Sequence, residues 1–386
     1  MKNIYQKEGL VKLIKEMGIY QCLDCAKCTG ACPIAETGKE FSPRLAARKL
    51  IEKGEDDPQV KEFIWACLTC GRCDEICPSG VNFSDFVRLL RSRWIASGKD
   101  GIFSHGGAMF SLMRMMSSPG IKQNRKALLP SDIKTQSQGK VLYFTGCLPY
   151  FDVFFKNLGL NMVQTAIDAV KILNQCNIAP VILDNERCCG HDLFWAGDEK
   201  GFVRLAKESY SEIKDHGATE LITTCPECFY TFKEIFPKFV DNFELKVTHI
   251  YELISKELNS EESRLDLKPL TVQATFKDSC RLKHFKEISH ATEKILKQIP
   301  GLDIIETPSG NIGDICCGNS AWVGCGAHSK TIQMKRLKET LATQSDLLIT
   351  TCPKCIIHLQ CTMNDFCNDE RLKIKDMVSV IADALD

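Results

Sequence analysis

The spacing of apolar positions changes near Lys140. Before it, apolar residues recur at helical intervals: Met1 to Tyr20 reads as a short amphipathic helix, and Ser42 caps a helix that opens at Pro43 and runs through Leu45, Leu50 and Ile51. A further short helix, Pro58 to Trp65, leads into Cys67. After Lys140, short β-rich apolar runs alternate with helical stretches, and the expected strands are Val141–Thr145, Val181–Leu183, Leu221–Thr224, Val272–Phe276, Asp303–Glu306 and Leu347–Thr350. Each of these runs leads toward cysteine. In open parallel sheets, ligands bind beyond the carboxyl ends of the strands.

The pattern predicts an all-α amino-terminal part followed by two α/β lobes with Rossmann-like character. The boundaries it suggests are 1–95 for the helical part, 96–139 for a linker, and 140–257 and 258–386 for the lobes. The lobes repeat one another. Cys280 follows Cys147 by 133 positions, Cys316 follows Cys188 by 128 and Cys352 follows Cys225 by 127, and the phrase Ile-Thr-Thr-Cys-Pro-x-Cys occurs at Ile222–Cys228 and again at Ile349–Cys355. This is an internal duplication.

Cysteine is the compositional outlier, at 22 of 386 residues. No apolar leader precedes Gln21 and no run approaches the ~18 apolar residues of a membrane span, so the expected location is the cytoplasm, with any membrane association peripheral and through a partner. In a reducing compartment, cysteines at tight spacing indicate metal rather than disulfides. Basic and acidic residues balance at 49 each, which leaves no global positive charge for nucleic acid.

Two cysteine runs have the C-x2-C-x2-C-x3-C-P form: Cys22, Cys25, Cys28 and Cys32 before Pro33, and Cys67, Cys70, Cys73 and Cys77 before Pro78. This is the ligand spacing of two-cluster ferredoxins, in which the fourth cysteine of each run serves the other cluster. The expected sets are Cys22, Cys25, Cys28 and Cys77 for one cubane 4Fe-4S cluster, and Cys67, Cys70, Cys73 and Cys32 for the other. Zinc would leave the third cysteine and the Cys-Pro ending of each run unexplained. The helices between the runs resemble the helical ferredoxin domain of respiratory iron–sulfur subunits.

Each lobe supplies five more cysteines: Cys147, Cys188, Cys189, Cys225 and Cys228, then Cys280, Cys316, Cys317, Cys352 and Cys355. Five thiols exceed the needs of tetrahedral zinc or of a cubane. Gly190 and Gly318, directly after the paired cysteines, are expected to adopt positive φ or to let the backbone approach inorganic sulfur. A dicluster ferredoxin domain followed by two C…CCG…CxxC motifs resembles heterodisulfide reductase, specifically the form of its iron–sulfur component in which two otherwise separate subunits are joined in one chain. The resemblance runs from Cys22 to about Cys355.

That resemblance implies a non-cubane 4Fe-4S cluster at each five-cysteine set, with the ten cysteines acting in the cleavage of a disulfide or a similar small-molecule acceptor. It also implies other redox subunits as partners: a flavoprotein, hydrogenase-type or cytochrome b-type electron donor. The alternative is a non-catalytic relay within an acyl-CoA reductase, a hydroxy-acid dehydrogenase or a quinone-linked complex. Related subunits often lack ligands in one motif, whereas this chain has all ten.

Several residues have ordinary readings. Cys176, Cys361 and Cys367 are expected to be structural, as is Cys325 despite its closeness in sequence to Cys317. His191 is expected to cap or to sit at the surface, with hydrogen bonding to cluster sulfur as its other reading; His284 and His328 have weaker claims, and Trp195 and Trp322 belong in the core. The basic stretch Val81–Lys126 suggests a solvated face, with docking to an acidic partner or tuning of cluster potential by nearby positive charge as its other readings, and the Met-rich segment Met109–Met116 suggests a partner-binding patch.

Overall fold

The computed structural model describes residues 2–38, 41–99, 101–307, 316–367 and 371–385, with the side chains of 2–8 outside that set. The chain divides into two compact units. One comprises Met1–Leu112, Asp192–Gly201 and Gly318–Gln333; the other comprises Met113–His191, Phe202–Cys317 and Met334–Asp386.

Among its described residues the first unit contains helices and no strand, as the helical spacing predicts. The helices Lys2–Glu16, Pro43–Lys53, Pro58–Ala66 and Phe83–Ala96 frame two short turns of helix, Lys27–Ala31 and Arg72–Glu75, that lie within the cysteine runs. Ser42 and Asp57 cap the middle pair, each ahead of a proline at the first helical position, where its missing N–H has no intrahelical partner to lose. The apolar faces meet in a core of Leu50, Val60, Phe63, Ile64, Phe86, Val87, Leu90 and Trp94, all almost fully buried.

The basic stretch is neither a solvated face nor a docking patch over much of its length. Arg91 is fully buried and donates to the backbone carbonyls of Ile64, Cys67 and Trp195 at 2.7–3.0 Å. Arg88 pairs with Asp85 and Glu199, and Arg93 with Glu55. Met109, Met113 and Met116 are buried as well, leaving Met115 exposed. Period alone cannot distinguish an Arg on an exposed face from one that fastens loops from within.

The second unit holds two parallel sheets. In the first, β1 (Val141–Phe144), β2 (Glu220–Thr223) and β3 (Lys246–His249) lie in that order. In the second, β4 (Val272–Lys277), β5 (Leu302–Ile304), β6 (Leu347–Thr350) and β7 (Lys373–Asp376) are arranged β5-β4-β6-β7. The expected strand at Val181–Leu183 contracts to a parallel bridge from Val181 to Leu142, on the edge of β1 that corresponds to the β5 side of β4. The strands β3 and β7 are absent from the sequence reading. Both are sheet edges with a half-exposed Lys-x-x-polar pattern, which lacks the apolar run that betrays a central strand.

The duplication extends to packing. Helix Met162–Gln175 of the first lobe packs on Met377–Asp383 of the second, while Ile250–Leu258 of the first packs on Lys286–Gln298 of the second. Equivalent helices thus exchange places, the self-complementary arrangement of a two-fold interface. His249 and Asp376, which end the equivalent strands β3 and β7, each cap the helix that follows.

Candidate metal centres

In the first unit the two cysteine runs share a backbone signature. Asp24 and Ala26 have φ of 53° and 62°, and their counterparts 45 positions on, Thr69 and Gly71, have 45° and 75°. These left-handed residues flank Cys25 and Cys70 and turn the chain sharply at the same place in each run. Three of the four are not glycine, and such strain persists where the surroundings hold it in place, often at functional sites.

Cys32 lines one small cavity together with Cys67, Cys70 and Cys73, the crossed grouping expected from the spacing. Cys22 and Cys25 act electrostatically on Cys28. Cys77 lies just beyond helix Arg72–Glu75, its N–H bonded to the Asp74 carbonyl. Burial pushes the Cys32 thiol up to about 12 and the Cys67 thiol up to about 11. A thiolate buried this way needs a cation to compensate it, and a metal is the cation that thiolates at this spacing fit.

In the second unit the ten lobe cysteines form two strings. Cys147 Sγ lies 3.4 Å from Cys188 Sγ, Cys188 neighbours Cys189, Cys189 neighbours Cys228, and Cys228 neighbours Cys225. In the second lobe Cys280 neighbours Cys316, Cys316 neighbours Cys317, Cys317 neighbours Cys355, and Cys355 neighbours Cys352. Equivalent residues appear in the same order. Cys147, Cys225, Cys280 and Cys352 each follow a strand end, as the pattern predicts. A dense, largely buried, all-thiol donor set suits soft metal chemistry of the iron–sulfur kind.

Gly190 and Gly318 do adopt positive φ, at 80° and 100°. The close approach that each permits is to protein atoms: a Cβ on Gly190 would stand 2.8 Å from the Phe202 ring, and one on Gly318 2.7 Å from the Ser329 carbonyl oxygen. The Gly190 N–H donates to Cys188 Sγ at 3.4 Å.

His191 is buried, not at the surface, with Nδ1 3.5 Å from the Glu227 carboxylate. Glu227 in turn meets Lys354 at 2.5 Å. Among the lesser candidates, Cys176 is buried at the end of its helix, while His328 bonds Thr37 and His284 stands against the Tyr230 ring. Trp195 and Trp322 are in the core.

Three groups that the sequence reading passed over surround the strings. Glu186, buried, accepts from the N–H groups of Thr145 and Gly146 and so fixes the turn into Cys147; burial raises its carboxyl to about 7 against the pull of Arg125. His358 Nδ1 lies 3.2 Å from Cys317 Sγ. Lys277 is buried at the end of β4. For the Glu227–Lys354 pair, also passed over, a signal was legible, since the two Cys-Pro-x-Cys phrases differ at x by Glu against Lys. A cavity of about 660 Å3 between helix Met162–Gln175 and the β7 segment is lined by none of the ten cysteines.

Comparison with known proteins matches these features. Residues 18–81 match the 4Fe-4S dicluster domain, and residues 141–233 and 274–360 match the cysteine-rich domain. The chain thus carries a dicluster domain followed by two cysteine-rich domains, the arrangement of an iron–sulfur oxidoreductase-type subunit.

Within that class it is related to the dihydromethanophenazine:CoB–CoM heterodisulfide reductase of Methanosarcina barkeri, one subunit of which is 25% identical over 96% of this chain and 95% of that one. The EtfAB:quinone oxidoreductase of Syntrophomonas wolfei is 27% identical over 67% of this chain and 36% of its own length. A crystal structure of a hypothetical protein from Helicobacter pylori shares the fold, with TM-score 0.57 and 9% identity, over 90% of this chain and 68% of that one. No helix among the described residues is long and apolar enough to cross a membrane.

Proposed function

We propose that this chain receives electrons at two cubane 4Fe-4S clusters and delivers them to two non-cubane 4Fe-4S clusters that reduce a small-molecule disulfide or a similar two-electron acceptor. Cys22, Cys25, Cys28 and Cys77 would hold one cubane, and Cys67, Cys70, Cys73 and Cys32 the other. The strings Cys147, Cys188, Cys189, Cys228, Cys225 and Cys280, Cys316, Cys317, Cys355, Cys352 would hold the non-cubane pair, at the strand ends of two lobes read as Rossmann-like. Bound there, the clusters supply one-electron chemistry, and disulfide cleavage consumes two electrons and two protons to give two thiols.

The observation that carries this reading is that both strings are complete and identically ordered in lobes that pack reciprocally. Two equivalent one-electron sites suit a substrate whose two sulfurs each become a thiolate. The protein's own contribution is to bury and order the thiols, and to place the Glu227–Lys354 pair between the two Cys-Pro-x-Cys motifs. The electron donor is a second chain, of flavoprotein, hydrogenase or cytochrome b type.

The test is reduction of a panel of disulfides by anaerobically purified protein with reduced viologen. Cys188→Ser and Cys317→Ser should each abolish turnover and leave the cubane spectra intact; turnover retained in both sinks the proposal. The likeness to a quinone oxidoreductase favours a second reading, an electron relay for chemistry on another subunit. Inertness of the fully loaded protein toward every disulfide, with rapid electron passage to a quinone-linked partner, selects that one.

A further inference from the structure

The last residue of β4 is Lys277, 7% exposed, with no hydrogen-bond partner for its Nζ. Sheet register identifies its counterpart in the other lobe. Lys277 lies opposite Thr350 on β6, and Phe144 lies opposite Thr223 on β2, so one structural position is lysine in the second lobe and phenylalanine in the first.

A buried ammonium without a hydrogen-bond partner is costly unless negative charge faces it. Burial lowers the Lys277 ammonium to about 8, still charged at neutral pH, and the second thiol string works against that loss: Cys355, Cys317 and Cys316 attract it, while Arg336, which pairs with Glu339 at 2.7 Å, repels it. The first string has no such cation at that position. Near it stands the Glu186 carboxylate, bonded to the Thr145 and Gly146 N–H groups and accompanied by Arg125. The two sites are alike in their thiols and unlike in their charge.

We propose that Lys277 is a positioning residue that sets the electron affinity of the second five-cysteine site, making a cluster held by Cys280, Cys316, Cys317, Cys352 and Cys355 easier to reduce than its counterpart in the first lobe. This rests on the cluster reading given above. Adding one electron adds one negative charge, and a neighbouring positive charge in a poorly screened interior stabilises that reduced state. The pseudo-two-fold pair is thereby polarised: at equilibrium the first electron resides in the second lobe.

An EPR-monitored potentiometric titration of the full, anaerobically purified chain tests this, with Cys188→Ser and Cys317→Ser assigning signals to the first and second sites. Lys277→Met should weaken second-site reduction at least tenfold, a downward shift of ~59 mV for a one-electron couple. The first site should stay in place, and Lys277→Arg should keep the wild-type value. An unmoved second-site potential, or equal movement of both sites, overturns the proposal. Loss of second-site iron from Lys277→Met and Lys277→Arg alike shows a packing role and also overturns it, whereas loss from Lys277→Met alone supports the need for charge. Wild-type protein lacking iron at both lobe sites would defeat the cluster reading instead, and iron and sulfide analysis reports that separately.

Discussion

Glu227 and Lys354, the middle residues of the two Cys-Pro-x-Cys motifs, form an ion pair with Oε2 and Nζ 2.5 Å apart and neither side chain more than 10% exposed. The same carboxylate acts on Cys280 and Cys352 of the opposite lobe and lies 3.5 Å from His191 of its own. The pair therefore ties the two thiol strings together at the pseudo-two-fold interface.

Breaking a buried pair leaves one charge uncompensated, at a cost of about 3–5 kcal/mol, whereas removing both partners costs much less. Glu227→Gln and Lys354→Met should each lower thermal stability by several degrees, and the double variant should recover part of the loss. A double-mutant cycle on anaerobic unfolding checks this; strictly additive losses would show that the two residues do not act as a pair.

Arg91 fastens the loop ahead of Cys70 from inside the helical unit, through carbonyls of Ile64, Cys67 and Trp195. Burial lowers its guanidinium to about 10, so it remains charged at neutral pH. Arg91→Met orphans several buried carbonyls and should cost roughly 2–5 kcal/mol. Arg91→Lys should rescue little, because a single ammonium cannot reproduce the planar fork. Melting curves together with iron content of the dicluster domain read the effect.

Asp376 caps the helix Met377–Asp383 and bonds the Tyr251 hydroxyl, but its Oδ2 is buried without a partner, and burial raises its carboxyl from 3.8 to about 7. The folded state thus prefers the neutral acid. Stability from this group is fully present below pH ~4 and is lost as pH rises through about 7, by an amount on the order of 4 kcal/mol. Asn caps as well as Asp. Asp376→Asn should therefore raise the melting temperature at pH 8 while changing it little at pH 4.5; equal gains at both would contradict the assignment.

Gly190 and Gly318 occupy matching places in sequence but differ in what surrounds them. A Cβ at Gly190 meets the Phe202 ring, which can pivot, whereas one at Gly318 meets the Ser329 backbone carbonyl, which cannot. Both positions have positive φ, so both alanine variants should be destabilised by at least ~1 kcal/mol, Gly318→Ala the more. Comparative melting of the two variants decides it.

The cysteine spacings by themselves determined the class of this protein, because ligand sets for iron–sulfur clusters are local and leave fixed intervals in the chain. The same is true of the helical amino-terminal part, of the largely buried strands β1, β2, β4 and β6, whose burial imposes an apolar run, and of the duplication. The edge strands β3 and β7 were not legible, since an edge needs only one buried face and tolerates lysine at its margin.

Tertiary structure alone decided that Arg91 is an internal clamp, that Lys277 replaces Phe144 beside a thiol string, and that Glu227 finds Lys354 in the other lobe. In each case a charged side chain is buried against a group far away in sequence. No local pattern can encode such a meeting, because it exists only once two elements have packed together.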